Sequence, residues 1–445
     1  MKYKAFTLSN IEEGDLLKKI PSGLLHDLKV VGTVLPFKSN NYLTDQLIDW
    51  SNPEADPMFQ LTFPQRGMLS SEHFKLMEQT LASTSDKNQI QAVANQIRLE
   101  LNPHPAGQKE HNVPVLRGEK LQGIQHKYRE TVLFFPSAGQ TCHAYCTFCF
   151  RWPQFTGMDE FRFAARESEN LLDYLILNQS VTDLLMTGGD PMMMSFGAFE
   201  RYLTPLLDQI GKTNIQTIRI GTKSLSFWPF KFTTDPEADQ FLRLFERITS
   251  MGINLAVMAH FSHPRELSTP AVEEAIKRIR ATGAQIRTQS PILRHINNSP
   301  QVWSEMWRRQ VNLNCIPYYM FVPRDTGARH YFALPLLQTW EIWQQAYQNV
   351  SGICRTVRGP SMSCTPGKVQ FVGPSDVNGE KVFVLRFLQG RNPDWVQRPF
   401  FARYDEKAVW MDELKPAFGD SFFFEAEEEN LYGERYHDSF PDDFE

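Results

Sequence analysis

The sequence predicts an α/β protein centred on a partial (β/α)6 barrel, with a helical amino-terminal region before it and a small α+β carboxy-terminal extension after it. Three observations carry this expectation. Six short, apolar, continuous runs recur at 131–136, 183–187, 217–222, 253–259, 285–291 and 315–322, the texture of strands buried on both faces. Helical patterns lie between them, and strand–helix–strand repeats imply parallel neighbours joined by right-handed crossovers. A loop with three cysteines follows the first run, at the carboxyl end of a strand, where such barrels carry their active groups.

Taken in order, residues 1–115 read as a mainly helical accessory region. Ile90, Val93, Ile97 and Leu101 fall at helical spacing between 83 and 101, and the Pro- and Gly-containing stretch 102–107 breaks that helix. The barrel is expected over 116–350. Ser268-Thr269-Pro270 caps a helix carrying Val272, Ile276 and Ile279, with Glu273 near its first turn and Gly283 after its last. Ser299-Pro300 opens another through Val302, Met306 and Val311, and 337–349 forms the last. The extension, 351–445, holds a Gly/Pro-punctuated stretch at 359–368, strands at 382–388 and 400–404, and an acidic tail from Phe424 onward that reads as solvated.

Composition excludes several classes of function. The 445 residues are 42% hydrophobic and 22% charged, an ordinary globular balance with ample core. A net charge of −5 with no sustained basic stretch argues against a nucleic-acid partner. No apolar run approaches the ~20 residues of a membrane span. The amino terminus has no signal-like apolar segment, so a reducing, cytoplasmic location is expected. Cys315, Cys354 and Cys364 are scattered and read as small buried hydrophobes.

The remaining cysteines, Cys142, Cys146 and Cys149, stand three and then two residues apart. That spacing suits a [4Fe-4S] cluster held by three thiolates, its fourth iron open to a small-molecule ligand. A structural zinc site wants four closed ligands, usually as two separated pairs; His143 is a candidate fourth ligand, but no second Cys-x-x-Cys exists. A disulfide with a spare thiol suits a small secreted domain instead. Other strand ends carry Gly188-Gly189-Asp190, Arg219, His260, His263 and Gln289, a set that leans toward a polar pocket. The paired glycines allow a backbone to approach a neighbour closely.

The cysteine loop resembles that of the radical S-adenosylmethionine (SAM) superfamily. His126-Lys127-Tyr128, the three cysteines, Arg151, the Thr-Gly-Gly-Asp at 187–190, Arg219-Ile-Gly-Thr, His260-Phe-Ser-His-Pro and Pro317-Tyr318-Tyr319 occur in the order in which they recur in lysine 2,3-aminomutase and its relatives, from about 95 to 372. The resemblance implies a radical SAM barrel and an enzyme of isomerase type that moves an amino group between neighbouring carbons of a small molecule. It implies a [4Fe-4S] cluster on Cys142, Cys146 and Cys149, and SAM across Gly188, Gly189, Asp190, Arg219, His260 and Gln289. Pyridoxal 5′-phosphate (PLP) would be the further cofactor, with Lys127 and Tyr128 among the cofactor-binding residues and Lys368 as its Schiff-base lysine. Arg151 matches the clamp for the substrate carboxylate, a task suited to a planar guanidinium. An electron donor such as flavodoxin or ferredoxin, and a homo-oligomer, are also implied.

Departures from the family pattern are as informative. Lysine-specific relatives receive the distal ammonium on two aspartates, and here Arg324 and Ser361 stand at those positions. An arginine repels an ammonium and suits an acidic side chain or another anion, so a substrate other than lysine is expected, with Arg324 as a binding residue; Asp325 beside it is a candidate neutralising partner. Phe148, Phe321 and Thr131 replace a His, a Tyr and an Arg that line PLP, and the family's carboxy-terminal zinc cysteines are absent, which predicts a different oligomeric arrangement. Two alternatives stay open: a radical enzyme without PLP acting on another, anionic substrate, and a non-catalytic cluster- or SAM-binding protein.

Overall fold

In the computed structural model, residues 1–13, 16–102, 112–158, 163–166 and 168–428 are described. One eleven-stranded sheet runs through it in strict chain order. Its strands are β1 (Ile124–Tyr128), β2 (Thr131–Phe134), β3 (Asp183–Met186), β4 (Thr217–Thr222), β5 (Asn254–His260), β6 (Gln285–Pro291), β7 (Ile316–Phe321), β8 (Arg358–Ser363), β9 (Gly367–Val377), β10 (Glu380–Gly390) and β11 (Pro399–Arg403). Strands β2 to β8 are mutually parallel. Strand β1 lies antiparallel on one edge, and β9 to β11 extend the other edge antiparallel. Among the described residues no pairing joins the first strand to the last, so the sheet is an open one.

All six expected strands are present, and the crossovers between them are helical. Before the sheet stand α1 (Ser22–Val34), α2 (Ser71–Ser83) and α3 (Lys87–Glu100); the crossovers carry α4 (Glu169–Leu177), α5 (Phe196–Asp208), α6 (Ala238–Ser250), α7 (Pro270–Ala281), α8 (Pro300–Asn312) and α9 (Leu336–Gln348). Helix α3 starts four residues later than the apolar spacing implies, because Asp86 caps it by accepting from Asn88 N at 2.9 Å. Thr269 caps α7 as expected, accepting from Val272 N. Ser299 does not cap α8: its hydroxyl bonds Gln301 Oε1 at 2.7 Å, and Pro300 alone marks the start. The break expected at 102–107 lies outside the described residues except at its first position, as does the acidic tail beyond 428.

Two expectations are corrected. The strands are not uniformly buried. Along β4, Thr217, Arg219 and Gly221 are part-exposed while Ile218, Ile220 and Thr222 are buried; β6 alternates likewise, with Gln285, Arg287 and Gln289 on the open side. One face therefore lies under the helices and the other lines an accessible, polar lumen. The second correction is a seventh parallel strand, β8, in the stretch expected to be a loop. Pro360 has no N–H to give a ladder, which makes the run read as a break. Gly359 serves contact rather than turning, since a Cβ there would meet Met320 O at 2.5 Å. Strands β8 and β9 form a hairpin that sets Ser363 opposite Lys368.

Apolar burial joins the parts. Phe6, Leu28, Val31, Phe59 and Phe63 of the amino-terminal region belong to the same core as Val132, Leu184 and Ile218 of the sheet. The carboxy-terminal strands have their own cluster around Phe371, Phe383, Phe387, Trp395, Phe400 and Phe424. Among the described residues no helix is long and apolar enough to cross a membrane. Because Phe387 is fully buried there, Phe387→Ala should lower the unfolding free energy in urea by about 3–5 kcal/mol; a loss below about 1 kcal/mol would contradict this packing.

Candidate functional site

Strand β2 ends at Phe134, and a single turn over Ser137–Gly139 delivers the chain into the cysteine loop. Cys142, Cys146 and Cys149 are all free and part-exposed. The loop is seated on the end of β3. Asp190 N donates to Gly139 O at 3.0 Å and to Thr141 O at 2.7 Å. Gly188 has φ of 139°, and a Cβ on Gly189 would meet Thr141 N and O at 2.5 Å, so only glycine lets these backbones touch.

Burial pushes the thiols of Cys142, Cys146 and Cys149 above their usual range; the Asp190 carboxylate and then the neighbouring thiolates raise Cys142 further, and Cys149, Glu266 and Asp190 raise Cys146. Lys38 opposes this at Cys142, Lys223 at Cys146, and the Arg151 N–H and charge at Cys149. Three sulfurs thus lie within electrostatic reach of one another, and a thiophilic cluster that takes them as thiolates would release their protons. Among the described residues no three His, Cys, Asp or Glu side chains converge on a single-ion position. His143 faces away from the sulfurs' task. Its Nδ1 lies 3.0 Å from Ser224 Oγ, its ring packs beside Tyr3 and Trp228, and burial lowers its pKa to about 3.

Two strand-end residues are tied to the protein rather than offered to a ligand. The Asp190 carboxylate, 2% exposed, accepts from Thr222 Oγ1, Lys223 N, Met192 N and Ser224 Oγ at 2.7–3.1 Å. It is a knot joining the ends of β3 and β4. The Arg219 guanidinium grips Asp183 through both Nε (2.7 Å) and Nη2, and Thr131 Oγ1 donates to the same carboxylate at 3.0 Å. The sequence could not reveal this, because Asp183 meets Arg219 only across two strands in register.

His260 and Gln289 are register partners on β5 and β6 and both face the lumen. The His260 ring stacks on Phe148 of the cysteine loop at 5.9 Å. Its buried Nδ1 has no partner, and burial holds its pKa well below the usual value. An unpaired nitrogen beside the cysteine loop is a ready contact for a polar ligand.

Across the lumen, Lys368 Nζ donates to Gln389 Oε1 at 3.0 Å and sits 4.3 Å from the centre of the Tyr319 ring. Burial lowers its pKa to about 8 despite the neighbouring Tyr318. Lys127 donates to the Cys364 carbonyl, and burial, helped by Arg391, holds its pKa well down. Tyr128 is raised by burial and by Tyr319. At the mouth, Arg151 is 8% exposed, lies 4.2 Å from the Phe135 ring centre, and has Nη1 without a partner. Burial lowers its pKa to about 9, with Arg324 lowering it further. Arg151 and Arg324 both lie over the exposed Phe150 ring, at 5.2 and 5.4 Å. Trp152 Nε1 bonds Thr326 Oγ1 at 3.0 Å, which holds the two arginine-bearing segments together. Ser361 is fully buried, with its hydroxyl on Met320 O at 3.3 Å, and is occupied within the sheet.

No family model matches the sequence. Relatives do. The "Putative L-lysine 2,3-aminomutase" of Aquifex aeolicus is 27% identical over 398 residues, 89% of this chain and 92% of that one. The L-lysine 2,3-aminomutase of Clostridium subterminale is 25% identical over 53% of this chain and 52% of its own length. The glutamate 2,3-aminomutase of Clostridioides difficile is 27% identical over 43% of this chain and 42% of its own. The chain thus spans about half the length of these last two. An open, largely parallel sheet with a three-thiol loop beyond its first parallel strand is the arrangement that the resemblance to radical SAM proteins implies. The chain is thus similar over most of its length to a protein named as a lysine 2,3-aminomutase, and a divergent relationship to that family fits its sequence, as a [4Fe-4S] cluster and SAM fit its cysteine loop.

Asp190→Ala would leave Thr222 Oγ1, Lys223 N and Met192 N buried without their acceptor, while Ser224 Oγ keeps His143 Nδ1. The unfolding free energy should fall by at least about 2 kcal/mol, and the three cysteines should alkylate faster as their loop loosens. Unchanged stability and alkylation would show that the knot does not seat the loop.

Proposed function

We propose that the protein is a radical SAM, PLP-dependent 2,3-aminomutase acting on an amino acid with an anionic side chain, such as glutamate. The observation that carries the choice of substrate is the arginine pair. Two guanidiniums share one aromatic ring at the lumen mouth, and among the described residues neither forms an ion pair with a carboxylate. Arg151 is buried without an ion-pair partner, which is costly, and Arg324 beside it is half-buried; a substrate carrying two carboxylates answers both. Arg151 would hold the α-carboxylate beside Cys149, and Arg324 the distal one.

When bound, the cluster and SAM supply a 5′-deoxyadenosyl radical that takes a substrate hydrogen, and PLP supplies an aldehyde that carries the amino group. Cys142, Cys146 and Cys149 would hold the cluster. The open backbone at Gly188–Gly189, the free Nδ1 of His260 and the inward Gln289 would orient SAM, with Phe148 walling it off. Lys368, desolvated and poised near neutrality, would hold PLP; Lys127 lies within electrostatic reach of it, and Tyr128 follows Lys127 on β1. A one-electron donor such as flavodoxin or ferredoxin completes the requirement. One observation favours a second reading without PLP: Lys368 already has a partner in Gln389, and Phe148, Phe321 and Thr131 leave few polar groups for a pyridine ring.

Anaerobic, reduced protein with SAM should release 5′-deoxyadenosine faster with glutamate than with lysine and convert glutamate to its β isomer. Arg324→Met should lower kcat/KM for glutamate at least about tenfold, the ~1.5 kcal/mol at the low end for a hydrogen bond to a charged group, as suits a half-buried side chain. Turnover of lysine in preference, or an unchanged kcat/KM, overturns the assignment. Because the folded pKa of Lys368 is depressed to about 8, capture of PLP as a borohydride-stable adduct should rise between pH 7 and 9 and vanish in Lys368→Ala. No adduct at any pH leaves the PLP-free reading.

A further inference from the structure

The outer side of the cysteine loop is gripped by the first sixty-odd residues of the chain. Tyr3 Oη and Asn40 Nδ2 both donate to His143 O, at 2.7 and 3.2 Å. Tyr145 N donates to Lys38 O at 2.8 Å, and Thr147 N to Leu61 O at 3.0 Å. The Thr147 hydroxyl donates to Gln60 O at 2.8 Å. The arm is itself braced, since Ser39–Asn40 pairs antiparallel with Ala5–Phe6. Backbone groups along the loop between the three cysteines are thus satisfied by a segment far away in sequence.

The same arm brings one full charge to the loop. Lys38 Nζ donates to Thr141 Oγ1 at 3.4 Å, next to Cys142, and lies 5.8 Å from the Tyr145 ring centre. Among the described residues no carboxylate lies within ion-pair distance of it. Its ammonium interacts with the Cys142 sulfur. Lysines without a counter-ion are normally left in water, so a half-buried one aimed at a cluster loop points to an anionic neighbour.

We propose that Lys38 is a positioning and charge-tuning residue: it clasps the outer side of the cluster loop and raises the reduction potential of the [4Fe-4S] cluster there. The inference rests on the cluster reading above. Three thiolates bring an oxidised cube to a net charge of about −1, and one added electron takes it to about −2. A fixed cation at the loop stabilises the more negative state more strongly, so the one-electron reduction becomes easier. The electron comes from the external donor, and no bond forms or breaks. The amino-terminal region thereby has a role in activating SAM without touching it.

The test is an EPR-monitored redox titration of reconstituted wild-type, K38M and K38R proteins, with iron and sulfide measured on each. K38M keeps the length of the side chain and removes its charge. With iron content unchanged, its reduced-to-oxidised ratio at a fixed potential should fall about tenfold, ~59 mV for a one-electron couple, and K38R should restore most of that. A fully loaded K38M with the wild-type potential overturns the proposal. So does a K38R that shifts as far as K38M, because the effect would then lie in packing rather than charge. Wild-type protein that takes up no cluster overturns the cluster reading itself, a result distinct from either.

Discussion

The contact on which the rest of the structure depends is the close approach of Gly188–Gly189 to Gln140–Thr141, Gly188 against the Gln140 side-chain amide and Gly189 against the Thr141 backbone. A side chain at 189 would push Thr141 away, and with it the segment that carries Cys142. The Asp190 carboxylate then locks this approach from beneath by collecting donors from the ends of two strands. A cluster loop needs such a seat because three thiolates must be presented together in one orientation, which a free loop of this length does not do at acceptable entropic cost. The helices, the open sheet and the arm all act on this point.

Charge is distributed unevenly around that seat. The whole chain carries −5, yet the lumen gathers Lys127, Lys368, Arg219, Arg151 and Arg324, with Asp183 committed to Arg219. Burial depresses the pKa of Lys368, Lys127 and Arg151. Positive groups held in a desolvated place favour anionic ligands, and desolvation also readies an amine for condensation chemistry. On the proposed reading, the same physics would disfavour lysine, with its second ammonium, at this mouth.

Much of this was legible in the chain, and what was hidden has physical reasons. Strands β2 to β7 announce themselves as apolar runs between helices, and the cysteine spacing marks its own loop. Strand β8 escaped notice because Gly359 and Pro360 usually end structure, whereas here the glycine lets two strands close up. Lys368 reads as a loop lysine, but the turn lies before it, with Cys364 N on Gly367 O at 2.9 Å, and places it on a strand facing the lumen. Asp190 and Arg219 look like ligands in isolation, since nothing in the sequence discloses their partners across the sheet. Tyr3, Lys38 and Asn40 give no signal at all, because their roles arise from contacts with residues a hundred or more positions away.

All of it converges on three sulfurs and the iron they would carry. The most direct measurement is the iron and acid-labile sulfide content of anaerobically reconstituted protein, together with the EPR spectrum of its reduced form before and after SAM. The account predicts four irons and four sulfides per chain, lost when any of Cys142, Cys146 or Cys149 becomes Ala, and a signal that changes on adding SAM to the open iron. Zinc in place of iron, a disulfide among the three, or a signal indifferent to SAM would contradict it.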